Sequence, residues 1–469
     1  MNRTTLLLST AGLLALVALV LGLPKPPPVT DTTHTLAQPG EQEPTLTLPL
    51  VTSGDGALTL EGKLSGGYLQ TGPSEAFAVL EVKAQRTQEN HRVPVNVALI
   101  IDRSGSMRGQ KLDDAKRAAR EFVQRMTEVD RLALVHYGTN VTTFDSTLAT
   151  EEARAQMLSF VDGIEDDGST NISGGMQAAA HELRPYVSQF RVSRAILLSD
   201  GQPTAGLVRE EELTALARQL RAEGIALSAL GVGEDFNENL MQGIADQGGG
   251  FSGFLNSNQL AEVFTRELEQ ATGTVARAVE LRLTLPPQVA SAEVMGTNAF
   301  QEGRTVRVPL YDMAGGQSAR LVVKLKLELQ PSEQPLELLD AKVTYMDVEK
   351  DRPAEARVAL SARSTEDTTL VHANLDKDVR VHAVRALGTQ QLRAAAEEMK
   401  KGNRSAALGF LGNARTLFGS SAAALSGELA DVDRTQAAYE GAQDEAAQRN
   451  EARQLQKKTM KSFGFNNSY

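Results

Sequence analysis

Val95-Asn96-Val97-Ala98-Leu99-Ile100-Ile101-Asp102-Arg103-Ser104-Gly105-Ser106-Met107-Arg108-Gly109-Gln110 is the stretch that decides the fold class. An apolar run ends abruptly in one carboxylate and two hydroxyls, spaced two residues apart, with a small glycine between the hydroxyls. Because the run is apolar throughout, it predicts a strand buried on both faces of a sheet. Three similar runs follow: RLALVHYG from Arg131, RAILLSDG from Arg194 and ALSALGVG from Ala226. Between and after them lie amphipathic helical runs, among them KLDDAKRAAREFVQRM from Lys111 and REEELTALARQLRAEG from Arg209. The rhythm predicts an α/β unit over about residues 94–273, a doubly wound, mostly parallel, Rossmann-like sheet covered on both faces. Ligands of such sheets sit beyond the carboxyl ends of the strands, near the topological switch point. Asp102 and Asp200 both lie where a strand of this kind ends.

Outside this unit the pattern changes. ALTLEGKL, GGYLQT and AFAVLEVKAQ alternate with period two, broken by Gly and Pro turns. Similar alternation returns in Val279–Leu285, Arg304–Leu310, Arg320–Leu329 and Asp340–Val348. The first group supplies about three strands, a marginal sheet alone. The economical reading is one β-sandwich-like domain split between residues 51–93 and 274–365, with the α/β unit inserted; two small separate β units are the alternative. Residues 366–469 read as helical. One helix carries Val381, Val384, Leu387, Leu392, Ala395 and Met399 and stops at Lys401-Gly402-Asn403; a second covers Ala406–Phe418. A third is expected from Ala422 to about Lys458, with Arg449, Arg453, Lys457, Lys458 and Lys461 as a solvated basic end.

At the other terminus, Thr4–Leu23 is an uncharged apolar run behind Arg3, near the ~20 residues that span a bilayer. Residues 1–23 therefore read as a signal-anchor or a signal peptide. The charge balance favours the N-terminus inside and the rest exported: anchored in the inner membrane facing the periplasm or cell surface, or secreted if the segment is cleaved. Residues 24–50, rich in Pro, Thr and Gln, read as an extended linker. The whole chain has 469 residues, enough for roughly three domains, and a net charge of −11. That charge, with no Trp and 4% aromatic residues, argues against nucleic acid as the main partner. The absence of cysteine excludes disulfides, thiolate nucleophiles and cysteine-ligated zinc.

Side chains at i, i+2 and i+4 of an extended segment share one face, so the loop after Asp102 can aim three oxygens at one point. Hard, partly neutral oxygen donors suit Mg²⁺ or Mn²⁺. Further oxygens must come from other loops at the same sheet end, and two candidates are Thr170, in DDGSTNI, and Asp200, in LLSDG. DRSGSM (Asp102–Met107), Thr170 and Asp200 resemble the metal-ion-dependent adhesion site of the von Willebrand factor type A domain, in order and rough spacing. GVGEDFN and the Gly248–Phe251 strand entry extend the resemblance over the α/β unit.

The resemblance implies that Ser104, Ser106 and Thr170 bind the ion directly, with Asp102 and Asp200 holding it largely through waters. An ion held mainly by hydroxyls keeps more of its charge, so an Asp or Glu carboxylate of a protein partner can complete its shell. The order of elements is similar to bacterial exported type A proteins, likened to inter-alpha-trypsin inhibitor heavy chains and calcium-activated chloride channel regulators. The expected function is a non-enzymatic, metal-dependent binding module of the cell envelope. An envelope scaffold, assembling its own domains or copies through the same site, is the alternative, and a metal-assisted hydrolase a remote one. The six histidines are scattered and form no H-E-x-x-H, Ser104 and Ser106 lie in no G-x-S-x-G elbow, and SGSMRGQK does not fit a phosphate loop. Ser106 alone could be a helix cap, but capping does not account for Thr170 and Asp200.

Overall fold

A computed structural model describes residues 56–86, 92–233, 237–442 and 444–461; the N-terminal apolar segment and its linker lie outside the described residues. Three strands open the described chain: β1 (Leu58–Leu64), β2 (Tyr68–Gln70) and β3 (Gly72–Ala84). In β1 the residues Leu58, Leu60 and Leu64 are buried while Thr59 and Glu61 are only half-buried, which is the period-two pattern of a strand with one face inward.

The α/β unit follows. Its strands are β4 (Val95–Asp102), β5 (Arg131–Tyr137), β6 (Val141–Leu148), β7 (Val192–Ser199), β8 (Ile225–Val232) and β9 (Gly249–Leu255). Six helices accompany them: α1 (Gln110–Arg125), α2 (Glu151–Asp162), α3 (Ile172–Leu183), α4 (Glu210–Ala222), α5 (Glu238–Gly248) and α6 (Leu260–Thr272). The sheet order is β6-β5-β4-β7-β8-β9, parallel except for the edge strand β6. Every residue of β4, β7 and β8 is buried, as the unbroken apolar runs require. Residues of α1, α2 and α6 share one core and residues of α3, α4 and α5 another, so the two sets cover opposite faces. The chain runs outward from β4 to β6 and then returns to β7 on the other side. The switch point therefore lies between β4 and β7, at the ends carrying Asp102 and Asp200.

The remaining strands are β10 (Thr274–Thr284), β11 (Val289–Val294), β12 (Phe300–Glu302), β13 (Thr305–Pro309), β14 (Met313–Ala314), β15 (Ser318–Leu329), β16 (Ser332–Asp347) and β17 (Arg352–Thr365). They join the first three in two sheets, ordered β1-β3-β15-β11 and β12-β13-β10-β16-β17-β2, with β14 beside β10. Strand β3 pairs antiparallel with β15 from Lys83 opposite Ser318 to Gly72 opposite Leu329. Segments before and after the α/β unit thus build one sandwich, the first of the two readings above. Its core brings Leu60, Leu80 and Leu321 of one sheet against Leu281, Val343 and Val358 of the other. The two chain crossings lie side by side, with Val93 N donating to Thr272 O at 2.9 Å.

Contacts between the two units are both apolar and polar: Phe251 of β9 joins the sandwich core and packs on Tyr311 at 5.2 Å between ring centroids, and Val348 joins the α/β core. Arg221 Nη2 donates to Val279 O at 2.8 Å and Leu310 O at 2.6 Å, and Asp312 N donates to Gly249 O at 3.0 Å. Burial pushes the Asp312 carboxyl up, while Arg194 and Arg221 pull it back.

Five helices complete the chain: α7 (Thr368–Ala373), α8 (Lys377–Lys400), α9 (Arg404–Gly419), α10 (Ser426–Gly441) and α11 (Glu445–Lys461). Val384, Leu392, Ala395 and Met399 of α8 pack with Ala407, Leu411 and Phe418 of α9. The single third helix expected from Ala422 to Lys458 is instead two. The chain leaves helical geometry after Gly441, and Asp444 Oδ1 then caps a new start by accepting from Ala447 N at 2.7 Å. The break turns α11 back onto α8 and onto the first residues of α5, where Gln456 Nε2 donates to Asn239 Oδ1 at 2.8 Å. The basic end is accordingly not all solvated: Arg453 is half-buried 3.6 Å from Glu238, while Lys458 stays exposed. Among the described residues no helix is long and apolar enough to cross a membrane.

Candidate metal centre

Three loops at the carboxyl end of the parallel sheet bring Asp102, Ser104, Ser106, Thr170 and Asp200 together. Asp102 is the last residue of β4 and fully buried. Its Oδ1 accepts from Ser104 N at 2.8 Å, which folds the loop back on the strand end. Its Oδ2 accepts from Ser199 Oγ at 2.7 Å and from Tyr137 OH at 3.3 Å. Every contact of this carboxylate fixes its orientation. Burial pushes the Asp102 carboxyl above the usual range and the Asp200 charge adds to the push, while hydrogen bonds from Ser104 and Ser199 oppose it. The Tyr137 hydroxyl is raised well above its ordinary value, by burial first and then by the Asp102 charge.

The hydroxyls come next. Ser104 Oγ and Ser106 Oγ are 3.1 Å apart, and Ser106 Oγ donates to Asp200 Oδ1 at 2.6 Å. Ser104 is buried and Ser106 exposed, so the row runs from the core to the surface. Thr170 precedes α3 and is held from both sides by one residue: its N donates to Thr204 Oγ1 at 2.8 Å, and its O accepts from Thr204 N at 3.0 Å. Gly201 closes over the cluster. A side chain there would stand 3.4 Å from Ser106 Oγ and 3.6 Å from Thr170 Oγ1, in the space through which a ligand must approach. Asp200 is fully buried, and its Oδ2 accepts from Lys111 Nζ at 2.6 Å. Lys111 Nζ also reaches Ser106 O at 3.3 Å.

The donor set fits a small divalent cation. Adjacent ligands of an octahedral Mg²⁺ at about 2.1 Å lie about 3.0 Å apart, and the Ser104–Ser106 separation of 3.1 Å is close to that edge. Two buried carboxylates facing one ammonium leave the cluster short of positive charge. Among the described residues no three His, Asp or Glu side chains form a metal cluster, so such an ion would rest on hydroxyls as much as on carboxylates.

A family model described as the von Willebrand factor type A domain matches residues 96–266. The chain carries a von Willebrand factor type A domain. Over 167 residues it is 33% identical to human inter-alpha-trypsin inhibitor heavy chain H3; that match covers 34% of this chain and spans only 19% of the heavy chain. An uncharacterised protein of the cyanobacterium Synechocystis, sll0103, is 23% identical over 346 residues, which is 70% of this chain and 79% of that one. In fold, a von Willebrand factor type A protein from Catenulispora acidiphila superposes with a TM-score of 0.68 over 87% of this chain and 97% of its own, at 19% identity. Type A domains are typically metal-dependent protein-interaction modules.

Tyr137, Ser199, Thr204 and Lys111 complete the type A site without having been singled out as part of it in the sequence. Tyr137 lies opposite Asp102 in the β4–β5 register, which the linear chain does not display. Ser199 had a signal, because it precedes Asp200 at a strand end; Lys111 had one as a cation in the first turn of the helix that follows the Asp102–Ser106 loop.

Proposed function

We propose that this protein is a metal-dependent binding module of the cell envelope whose type A domain recognises an acidic residue of a partner protein. The observation that carries the reading is the row Asp200–Ser106–Ser104, in which the exposed Ser106 hydroxyl links the buried Asp200 carboxylate and the buried Ser104 hydroxyl to the surface. Mg²⁺ or Mn²⁺ on such donors retains charge for an incoming carboxylate. Ser104, Ser106 and Thr170 would hold the ion directly, and Asp102 and Asp200 would hold it through waters and balance its charge. The ion supplies Lewis acidity toward the partner's oxygen; the protein's own side chains fix the donors. His136, on the neighbouring strand, packs tilted against Phe160 at 5.1 Å between ring centroids, and burial lowers its pKa to about 4. The uncharged run Thr4–Leu23 supports the envelope assignment.

Calorimetric titration with Mg²⁺ tests the site, and capture of envelope proteins with and without chelator tests its use. Saturable Mg²⁺ binding is expected, weakened by Ser104→Ala at least about tenfold, with capture lost in both chelator and variant. Capture indifferent to chelator and to Ser104→Ala sinks the reading.

A further inference from the structure

A second feature adjoins the metal loops. A groove of about 290 Å³ lies between the α/β unit and the C-terminal helices, bounded by Gln202, Glu238 and Asn239 on one side and Lys400, Arg449 and Arg453 on the other. Its lining thus holds three cations and one carboxylate. Glu238 is shared between Lys400, at 3.3 Å, and Arg453, at 3.6 Å, so one negative charge serves two cations. Arg449 pairs with Glu445 on its own helix, one turn back, in a solvent-exposed contact of the kind that contributes little. The groove therefore carries a surplus of positive charge on a chain whose net charge is −11.

Its position gives that charge a use. Gln202, in the groove lining, directly follows Gly201, the residue that closes over Ser106 and Thr170. In an extended peptide alternate side chains share a face and each residue advances about 3.3 Å. Two carboxylates two or four residues apart on such a peptide therefore span about 7–13 Å.

We propose that the partner is an acidic peptide segment with two carboxylates on one face, one meeting the ion and the other entering the groove against Arg449 and Arg453. This rests on the preceding reading of the metal site. The C-terminal helices then form one wall of the recognition surface. The excess charge also raises the local concentration of acidic segments, giving association a strong dependence on ionic strength.

The test uses the full chain and fluorescein-labelled glycine-rich peptides carrying one aspartate, or two aspartates two or four residues apart, followed by fluorescence anisotropy in Mg²⁺. One of the two-aspartate peptides is expected to bind about tenfold tighter than the one-aspartate peptide, the gain from one charge-assisted contact. Arg449→Gln, at an exposed position, is expected to erase that difference and leave one-aspartate binding and the melting temperature unchanged. Arg453→Gln gives the same loss from the neighbouring guanidinium. Equal affinity for one and two aspartates, or a difference that survives both substitutions, overturns the groove and leaves the metal reading standing. Binding lost in Arg449→Gln but indifferent to chelator supports the groove and sinks the metal reading. No binding of any peptide in Mg²⁺ overturns both.

Discussion

Lys111 bears on how tightly the proposed site would hold a cation. Its ammonium lies 2.6 Å from Asp200 Oδ2, so the buried carboxylate already has a tethered positive partner. An arriving Mg²⁺ must share that carboxylate or displace the amine, and either lowers its affinity. Lys111→Met keeps the aliphatic stem and removes the charge. Isothermal titration is expected to find Mg²⁺ bound at least about tenfold more tightly, equivalent to about 1.4 kcal/mol. Unchanged affinity would mean that the ammonium makes no difference to the ion. Asp102, Ser104, Ser106, Thr170 and Asp200 were legible because residue type and spacing carry their chemistry. Tyr137, Ser199 and Thr204 were not, because each acts by standing opposite a donor in a strand register or a folded loop.

Packing between elements rests on equally local decisions, and the α8–α9 hairpin offers a clean case. A side chain built at Gly388 would meet Phe418 at well below contact distance, so the glycine lets the aromatic ring lie against the α8 backbone. Gly to Ala inside an exposed helix stabilises by about 1 kcal/mol. Here Gly388→Ala is expected to destabilise by about 1–3 kcal/mol, because Phe418 must leave its seat; chemical denaturation measures the sign directly. Sequence patterns exposed the elements with strong periodicity and hid those without. The four apolar strands β4, β5, β7 and β8 stand out by composition. Strand β17 escaped because its inward positions begin with Ala354 and Ala356, small residues that mark a strand weakly, before Val358 and Leu360. Strand β6 escaped because a polar edge strand carries little apolar pattern. Helix α2, with only Met157 and Val161 buried, has a narrow apolar stripe. The α10–α11 break was signalled by Gly441 and Asp444, but an Ala- and Gln-rich run with high helix propensity masks such signals.

At the scale of the molecule, the insertion makes two units behave as one. Arg221 is the rivet: it reaches from α4 to two carbonyls of the sandwich segment, Val279 and Leu310. Arg221→Ala leaves both without this donor and is expected to destabilise the junction by about 2–4 kcal/mol. Two unfolding transitions in denaturant should replace one, with earlier proteolysis between the units; a single transition at an unchanged midpoint would show that other contacts hold the junction. The split sandwich was readable because three strands before the α/β unit needed partners that only the later segment could supply. The orientation of the C-terminal helices was not, since it depends on contacts across long intervals of sequence, such as Gln456 to Asn239 and Val379 and Ala383 of α8 in the sandwich core. The side-by-side crossings at Val93 and Thr272 bear on mechanics. A partner drawn away from the ion would strain both connections of the inserted unit together. Tension then divides between two adjacent strands of the chain, where a unit hung from one end would put it all on a single linker.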